Sequence, residues 1–266
     1  MTGRLPNDCF ALPPGVRWTP VDDALDHLEQ RLGRAVGTET RVIGDAAGRV
    51  LAVDVTAPRA HPPTANAAVD GYAVQGDGVQ FELLLGRAAA GDPFMGHVGA
   101  GQAVRILTGA SIPAGVDRVV LQEDVEVQAS TITLTASPKP GANMRKAGED
   151  MARGQTILQA GCVLTPADIG ILATVGLGDV LVHRRLKVAV ISTGDELRPA
   201  GQGATDHQIY DANRPMLVSL LRGWGFDVVD MGIIPDDRAQ VRFALDRAAQ
   251  ADAIITSGGA SAGDAD

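Results

Sequence analysis

Apolar and polar residues alternate most clearly in the last third of the chain. Three short apolar runs there have the length and the β-branched content of buried strands: residues 187–192, 226–230 and 252–256. Two segments with helical spacing, 211–224 and 236–250, separate these runs, and Asp236 is expected to cap the second helix. Alternating strands and helices predict a parallel, doubly wound sheet.

The pattern differs from about residue 53 to residue 137, where helical periodicity is largely absent. Short β-branched runs alternate there with Gly, Pro and Asp, at residues 119–121, 125–127 and 131–135. This spacing predicts a small β-rich domain. A helix is predicted on either side of it: Thr19 and Pro20 begin one that runs to about Arg31, and Thr165 and Pro166 begin one that ends near Gly176.

Together these patterns predict a multi-domain α/β protein in which one domain is inserted into another. Residues 17–52 and 153–185 are expected to form a small helical and linker domain, and residues 53–152 the inserted β-rich domain. Residues 186–266 are expected to form a three-layer α/β domain with a mostly parallel sheet. Ligands of such sheets bind beyond the carboxyl ends of the strands, which makes that edge the candidate site.

Composition excludes several classes of function. The net charge of −9 disfavours a nucleic-acid surface or an anionic membrane as partner. No apolar stretch approaches a length of about 18–20 residues, which a membrane-spanning helix needs. The N-terminal residues lack the apolar segment of a secretory signal, so a cytoplasmic location is predicted. Cys9 and Cys162 provide neither a disulfide framework nor a zinc-ligand spacing.

Three acidic turns follow the three predicted strands, at residues 193–197, 232–237 and 257–264. Their carboxylates are expected at one edge of the sheet, together with that of the last residue: Asp195, Glu196, Asp236, Asp237, Asp264 and Asp266. Any one of them could be a solvated loop residue, and Asp237 is well explained as a residue of a helical first turn. Like charges repel, so the cluster as a whole predicts a Mg²⁺ or substrate site.

The segment Thr256–Asp266 is rich in glycine, which lets a ligand approach backbone N–H groups closely. Five of its residues are candidate ligand-binding positions: Ser257, Gly258, Gly259, Ser261 and Gly263. Anion-binding glycines beside carboxylates predict a phosphorylated substrate bridged by Mg²⁺. The motifs of P-loop enzymes and of dinucleotide-binding folds do not occur in the chain, and its five histidines show no evident role as the base of a serine hydrolase.

Three further strings of residues lie in the β-rich segment. Residues 66–73 place Asp70 before a glycine, and residues 105–117 place Thr108 and Gly109 on a tight loop. Residues 143–150 join two basic residues to two acidic ones, the last of which is Asp150. Each string alone is consistent with ordinary turn chemistry.

In combination and in this order, the strings resemble the molybdopterin molybdenumtransferases, the family of bacterial MoeA and of the C-terminal domain of gephyrin. The matching segments are residues 66–74, 106–120 with Glu123 and Asp124, 143–150, 190–197, 209–217 and 256–266. The resemblance covers the chain from about residue 15 to its end. It implies Mg²⁺-dependent insertion of molybdate into adenylylated molybdopterin, with release of AMP.

The resemblance also implies roles for single residues. The positions that match the family's functional polar residues are Asp70, Thr108, Asp150, Glu196, Asp236 and Asp266. Mg²⁺ would be held by Glu196, Asp236, Asp264 and Asp266. Members of the family are elongated homodimers, so Asp70 and Thr108 are expected to face Glu196 and Asp266 across the dimer. Molybdoenzymes or other proteins of cofactor biosynthesis are the further partners that the resemblance implies.

The chain departs from the family pattern in three places. Ala67 and Val69 replace Ser and Met around the retained Asp70, and Ala212 replaces Ser in the Asp-Ser-Asn string. Family members also continue beyond the Gly-Asp-x-Asp string, so the chain is expected to lack the family's C-terminal part. A non-catalytic molybdopterin-binding or scaffold module is therefore an alternative function. The related adenylyltransferase would have a Gly-Gly-Thr-Gly turn and no β-rich insertion, and both features count against it.

Overall fold

The computed structural model describes residues 19–258, which form two compact units. Residues 19–37 and 184–258 belong to the first unit, called here the α/β unit. Thr38–His183 form the second, called the β-rich unit. No helix in this part of the chain is both long and apolar enough to cross a bilayer.

The helices of the described residues are α1 (Val21–Arg31), α2 (Pro166–Thr174), α3 (Asn213–Gly223) and α4 (Arg238–Ala248). Short 3-10 turns occur at Ile43–Asp45 and Gln122–Asp124. The strands of the β-rich unit are β1 (Thr38–Val42), β2 (Val55–Thr56), β3 (Asn66–Ala67), β4 (Gly71–Val74), β5 (Gln80–Ala88), β6 (Gln102–Ile106), β7 (Arg118–Leu121), β8 (Val125–Gln128), β9 (Thr131–Leu134), β10 (Met144–Arg145), β11 (Thr156–Leu158) and β12 (Asp179–His183). The strands of the α/β unit are β13 (Lys187–Thr193), β14 (Leu197–Arg198), β15 (Ile209–Tyr210), β16 (Asp227–Ile234) and β17 (Ala253–Ser257).

A six-stranded sheet with the order β7-β4-β6-β5-β9-β8 dominates the β-rich unit. Its neighbours are antiparallel except for β5 and β6, which run parallel. Successive residues of β4 enter two different hydrophobic clusters, because Ala73 packs with Val104 on one face and Val74 packs with Phe81 on the other. Both faces of the sheet are therefore covered.

A second cluster of the β-rich unit surrounds helix α2 and the antiparallel pair of β1 and β12. Thr165 begins α2 as predicted: its hydroxyl accepts from the Asp168 N–H, and the Asp168 carboxylate accepts from the Thr165 backbone, which is a capping box. The prediction for the first helix was wrong in this respect. Helix α1 has Pro20 at its N-cap and no side-chain capping bond, so Thr19 does not cap it.

The α/β unit contains a parallel sheet of order β16-β13-β17. On one face of β13, Val188 and Val190 pack with residues of α3. On the other face, Ala189 and Ile191 pack with Ala248 of α4. Helices thus cover both faces of the sheet, and the predicted three-layer α/β architecture is confirmed.

Two differences from the predicted elements have local causes. Strand β16 continues to Ile234 beyond the predicted end at Asp230, past Gly232, whose φ of 81° is accompanied by an irregular register against β13. Strand β5 was not predicted, because its nine residues mix glycine and charged residues with apolar ones and show no clean alternation.

Candidate functional site

Asp70 and Thr108 are in direct contact at one end of the six-stranded sheet. Asp70 precedes β4 and Thr108 follows β6, which is the neighbouring strand. Both the backbone N–H and the hydroxyl of Thr108 donate to Oδ1 of Asp70, each at 2.7 Å. These hydrogen bonds, with a smaller contribution from the Arg105 guanidinium, lower the pKa of the Asp70 carboxyl. Since the Thr108 proton is used in this way, its remaining lone pairs can accept a hydrogen bond or ligate a cation.

Gly71 allows Asp70 to approach the sheet closely. A Cβ at residue 71 would overlap the carbonyl oxygen of Val120 on β7, so a side chain cannot be accommodated there. Arg105 lies beside this position: it donates to the Gly71 carbonyl at 3.2 Å and to Gln122 Oε1 at 2.6 Å, and its guanidinium lies 5.1 Å from the Tyr72 ring centroid. Arg105 was not predicted as a site residue, although it lies in the string of residues 105–117.

Asp150 belongs to a compact ionic cluster in the β-rich unit. Arg145 donates to Asp150 at 2.5 Å and to Glu149 at 3.2 Å. His61 Nε2 lies 3.7 Å from the other Asp150 oxygen. The Lys146 backbone N–H and Arg145 lower the pKa of the Glu149 carboxyl. Both Asp150 oxygens therefore face basic groups, so this carboxylate orients a guanidinium. His61 was not predicted as a member of the cluster.

Two of the three acidic turns at the sheet edge of the α/β unit are joined by reciprocal hydrogen bonds. The Asp195 backbone N–H donates to Asp236 Oδ2 at 3.3 Å, and the Asp236 N–H donates to Asp195 Oδ1 at 3.2 Å. Each carboxylate keeps one oxygen for another partner. The helix cap, however, is Asp237, whose Oδ1 accepts from the Gln240 N–H at 2.9 Å. The prediction that Asp236 caps α4 was wrong by one residue, which leaves Asp236 available at the turn.

Glu196 is exposed at the same edge, where its carboxylate lies over Gly194. A Cβ at Gly194 would overlap that carboxylate, and the φ of 145° at Gly194 is also one that favours glycine. No hydrogen bond or ion pair from the rest of residues 19–258 reaches the Glu196 side chain. A cavity of about 370 Å³ opens beside these turns, and its lining includes Asp195, Arg214 and Pro235.

The third turn begins with Ser257 and Gly258. Gly258 has a φ of 105°, and a Cβ there would lie 2.6 Å from Thr193 Oγ1, so its backbone packs directly on the end of β13. The structure thus connects all three predicted turns through contacts of Thr193, Asp195 and Asp236. The remaining predicted positions lie outside the described residues: Gly259, Ser261, Gly263, Asp264 and Asp266.

Free carboxylate oxygens at Glu196, Asp195 and Asp236 are the oxygen donors that Mg²⁺ prefers. Within residues 19–258, however, no group of three or more His, Cys, Asp or Glu side chains is arranged to hold a metal ion. The predicted ligand set also includes Asp264 and Asp266, which are not among these residues. The donor chemistry of the edge fits Mg²⁺, and its occupancy stays a prediction.

A network that the sequence analysis did not predict lies directly beneath the turns. Asp211 is buried and accepts from the Ser192 hydroxyl at 3.2 Å and from Arg214 Nε at 2.9 Å. Arg214 also donates to both carboxylate oxygens of Asp230, at 2.7 and 2.6 Å. Burial disfavours the charged Asp230, but bonds from Arg214 and the Gly232 N–H outweigh it and lower the pKa of that carboxyl. The sequence offers a signal for the Asp211–Arg214 pair, because the two opposite charges are three residues apart at the start of a predicted helix.

Two family models match the chain. Residues 19–176 match the family described as MoeA N-terminal region (domain I and II), and residues 189–266 match the family described as probable molybdopterin binding domain. The molybdopterin molybdenumtransferase of Haemophilus influenzae is 41% identical over 251 residues, covering 92% of this chain and 62% of that protein. The Nostoc protein of the same name is 34% identical and covers 95% of this chain and 60% of its own length. The chain thus spans about 60% of the length of these relatives.

Two solved structures from Pyrococcus, both described as molybdopterin biosynthesis MoeA protein, share the fold. One from Pyrococcus horikosii superposes with a TM-score of 0.80 at 32% identity, covering 92% of this chain and 64% of that one. One from Pyrococcus horikoshii OT3 has a TM-score of 0.82 at 29% identity, covering 91% of this chain and 67% of that one. Since the first matching family region alone spans more than half of the residues, and the second contains the acidic and glycine turns, the chain belongs to the MoeA family.

Proposed function

We propose that this chain inserts molybdate into adenylylated molybdopterin and releases AMP in a Mg²⁺-dependent reaction. The observation that carries the proposal is the contact between three turns at one edge of the parallel sheet, where acidic residues adjoin the Ser257–Gly258 turn. That edge lies in the part of the chain that matches a probable molybdopterin binding domain. Relatives named molybdopterin molybdenumtransferase support the reaction.

Separate roles for the turns follow from their chemistry. Backbone N–H groups and the hydroxyl of the Ser257–Gly258 turn would bind anionic oxygens of the substrate, with Gly259, Ser261 and Gly263 continuing the turn. Glu196 and Asp236 would hold Mg²⁺ together with Asp264 and Asp266. The bound ion would neutralise charge that develops on the phosphate and molybdate oxygens.

The β-rich unit would contribute orienting groups to the same reaction. Asp70 is held ionised by Thr108, and its second oxygen is free to accept from the substrate or from a bound water. Asp150 holds Arg145, which keeps further N–H donors for an anionic group. In this proposal Asp70, Thr108 and Asp150 orient the substrate, and the acidic turns of the α/β unit hold the Mg²⁺ that neutralises its charge.

The test is AMP release from adenylylated molybdopterin by the purified chain, with molybdate and Mg²⁺ supplied separately and together. We expect release only when both are present. Binding of adenylylated molybdopterin without release under any of these conditions would instead identify a molybdopterin-binding module. Failure to bind it would contradict both functions.

We also propose that the chain forms a homodimer. Helix α1 presents an apolar stripe at Val21, Leu25, Leu28 and Leu32, whose exposures are between 52% and 73%. The spacing of these residues places them on one face of the helix, and such a face is typical of a helix that packs against a partner. Substitution of Leu28 by Lys is expected to weaken dimerisation about tenfold or more. Light scattering over a micromolar dilution series measures this, with Gln30→Lys on the opposite, polar face as the control for the change in charge.

A further inference from the structure

The start of α3 is anchored to all three strands of the parallel sheet. Asp211 contacts Ser192 on β13, Arg214 contacts Asp230 on β16, and Asn213 contacts Ser257 on β17. The charge of Arg214 is paired with those of Asp211 and Asp230. Asp211 Oδ1 also accepts from the Arg214 backbone N–H at 3.1 Å, so the peptide that follows Asn213 is held in place.

Asn213 itself takes no part in the ion pairs. Asn213 stands between Asp211 and Arg214 in the chain. Its side-chain Nδ2 group donates to Ser257 Oγ at 2.9 Å. A serine hydroxyl has one proton and two acceptor lone pairs. When a lone pair of Ser257 accepts from the amide, the hydroxyl proton is left for another acceptor. Within residues 19–258 no acceptor for that proton is recorded, and Ser257 is partly exposed.

We propose that Asn213 is a positioning residue for Ser257, which it holds as a hydrogen-bond donor toward an anionic oxygen of the ligand. This inference rests on the proposed function, because it assigns molybdopterin or its adenylate to the Ser257–Gly258 turn. The ion pairs of Asp211, Arg214 and Asp230 make the position of Asn213 rigid, so the hydroxyl is oriented before the ligand arrives. Such preorganisation reduces the cost of ordering the site on binding.

Two substitutions of Asn213 are expected to lower the affinity for the ligand by different amounts. In Asn213→Ala the Ser257 hydroxyl loses its amide donor but can still rotate toward the ligand, so affinity is expected to fall only about twofold to fivefold. In Asn213→Asp the new carboxylate is an acceptor and competes for the Ser257 proton. The ligand then loses its donor, and affinity is expected to fall about 10-fold to 100-fold.

The experiment is an anaerobic titration of the chain with molybdopterin, monitored by calorimetry. Ala212→Asp is the matched control, because it adds the same charge at the neighbouring exposed residue, from which no contact to Ser257 is recorded. When Ser257 is present, Asn213→Asp should bind molybdopterin at least tenfold more weakly than Ala212→Asp. When Ser257 is also replaced by Ala, the two variants should bind molybdopterin with equal affinity. Thermal unfolding of Asn213→Asp should match that of the wild type, since an acidic residue in the first turn of a helix is favourable.

Three outcomes would overturn the inference. Equal affinity of Asn213→Asp and Ala212→Asp would show that the amide does not act through Ser257. Equal losses for Asn213→Ala and Asn213→Asp, with a matching fall in melting temperature, would show a purely structural contact. Wild-type affinity of Ser257→Ala would remove the hydroxyl from the site while leaving the proposed function intact, whereas a wild-type chain that does not bind molybdopterin would contradict the proposed function itself.

Discussion

The two units of this protein hold their acidic residues in opposite ways. In the β-rich unit, Asp70 and Asp150 are engaged by donors: Thr108 donates twice to Asp70, and Arg145 with His61 faces Asp150. In the α/β unit, Glu196 has no recorded partner among residues 19–258, and Asp236 uses one oxygen in a long hydrogen bond. Carboxylates of the first kind orient their donors, whereas those of the second kind remain available to a cation or a substrate.

A third kind of carboxylate, in the α/β unit, is structural. Asp211 is buried with a side-chain exposure of 2%, and its charge is matched by Arg214. A buried charge of this kind contributes little when paired and costs much when its partner is removed. The comparison therefore separates structural carboxylates from orienting ones and from those available to a ligand, and each class predicts a different response to substitution.

The largest effect is expected from the structural class. Arg214→Met leaves Asp211 buried without its counter-ion, and it should lower the stability of the α/β unit by about 3–5 kcal/mol. Arg242→Met, at an exposed position of α4, is the matched control and should change stability by less than about 0.5 kcal/mol. Urea denaturation followed by circular dichroism measures both variants. If Arg214→Met lowered stability no more than the control does, Asp211 would behave as a solvated carboxylate, which contradicts its assignment to the structural class.

The next effect distinguishes available from orienting carboxylates. Glu196→Gln keeps the shape of the side chain but removes its charge, so AMP release should fall at least about 100-fold, with little change in melting temperature. Asp70→Asn keeps an oxygen that can accept from Thr108, so its loss should be smaller, about tenfold. Asp70→Ala removes that oxygen and should cost far more catalysis than stability.

Steady-state kinetics of the three variants, with Glu126→Gln on the exposed strand β8 as control, tests this order. If Asp70→Asn proved as damaging as Glu196→Gln, the charge of Asp70 would matter as much as its orientation. Wild-type activity in both Asp70→Ala and Glu196→Gln would rule out the proposed site.

The smallest effect concerns the ionisation of Asp70. Thr108→Val removes the hydroxyl donor and keeps the backbone donor, so the lowered pKa of Asp70 should rise part of the way to its ordinary value. A carboxyl whose pKa is lowered by folding contributes stability above its unfolded-state pKa, and this contribution disappears as pH falls through the folded-state pKa. The variant should therefore lose that contribution at a higher pH than the wild type.

Carbon-detected NMR titration of the Asp70 carboxyl measures the shift directly. Thr64→Val, which removes a hydroxyl that contacts Ser111 rather than Asp70, is the matched control and should leave the titration unchanged. An unchanged Asp70 titration in Thr108→Val would show that the Thr108 hydroxyl does not contribute to the lowered pKa.

Much of the α/β unit could be predicted from residue patterns because its elements are specified locally. Strands β13 and β17 and helices α3 and α4 occur within one to three residues of their predicted bounds. Buried strands covered on both faces are continuously apolar, and that signal is strong over five or more residues. Strand β5 escaped prediction because its residues show no clean alternation, and its pairing with β6 and β9 identifies it only in the folded chain.

In the candidate site, too, some features could be predicted from the sequence and others could not. Asp70, Thr108, Glu196 and Asp236 were selected from short strings, and in the structure each lies beside the end of a strand. The helix caps were predicted less accurately, because some predictions missed the capping residue by one position. Thr165 caps α2 because Asp168 completes a capping box, whereas Thr19 makes no such bond, and Asp237 rather than Asp236 caps α4. A cap depends on the φ and ψ angles of a single residue, which composition alone does not specify.

The order of residues along the chain was enough to determine the α/β class, the acidic and glycine turns and their assignment to strand ends, because each rests on periodicity or on local turn chemistry. Only the folded chain decided which groups pair: Arg214 with Asp211 and Asp230, Asn213 with Ser257, and Thr108 with Asp70. These partners are 3 to 44 residues apart in the chain. Most such contacts form only when strands align and burial removes water, so the charge and proton balance of the site follow from its tertiary structure.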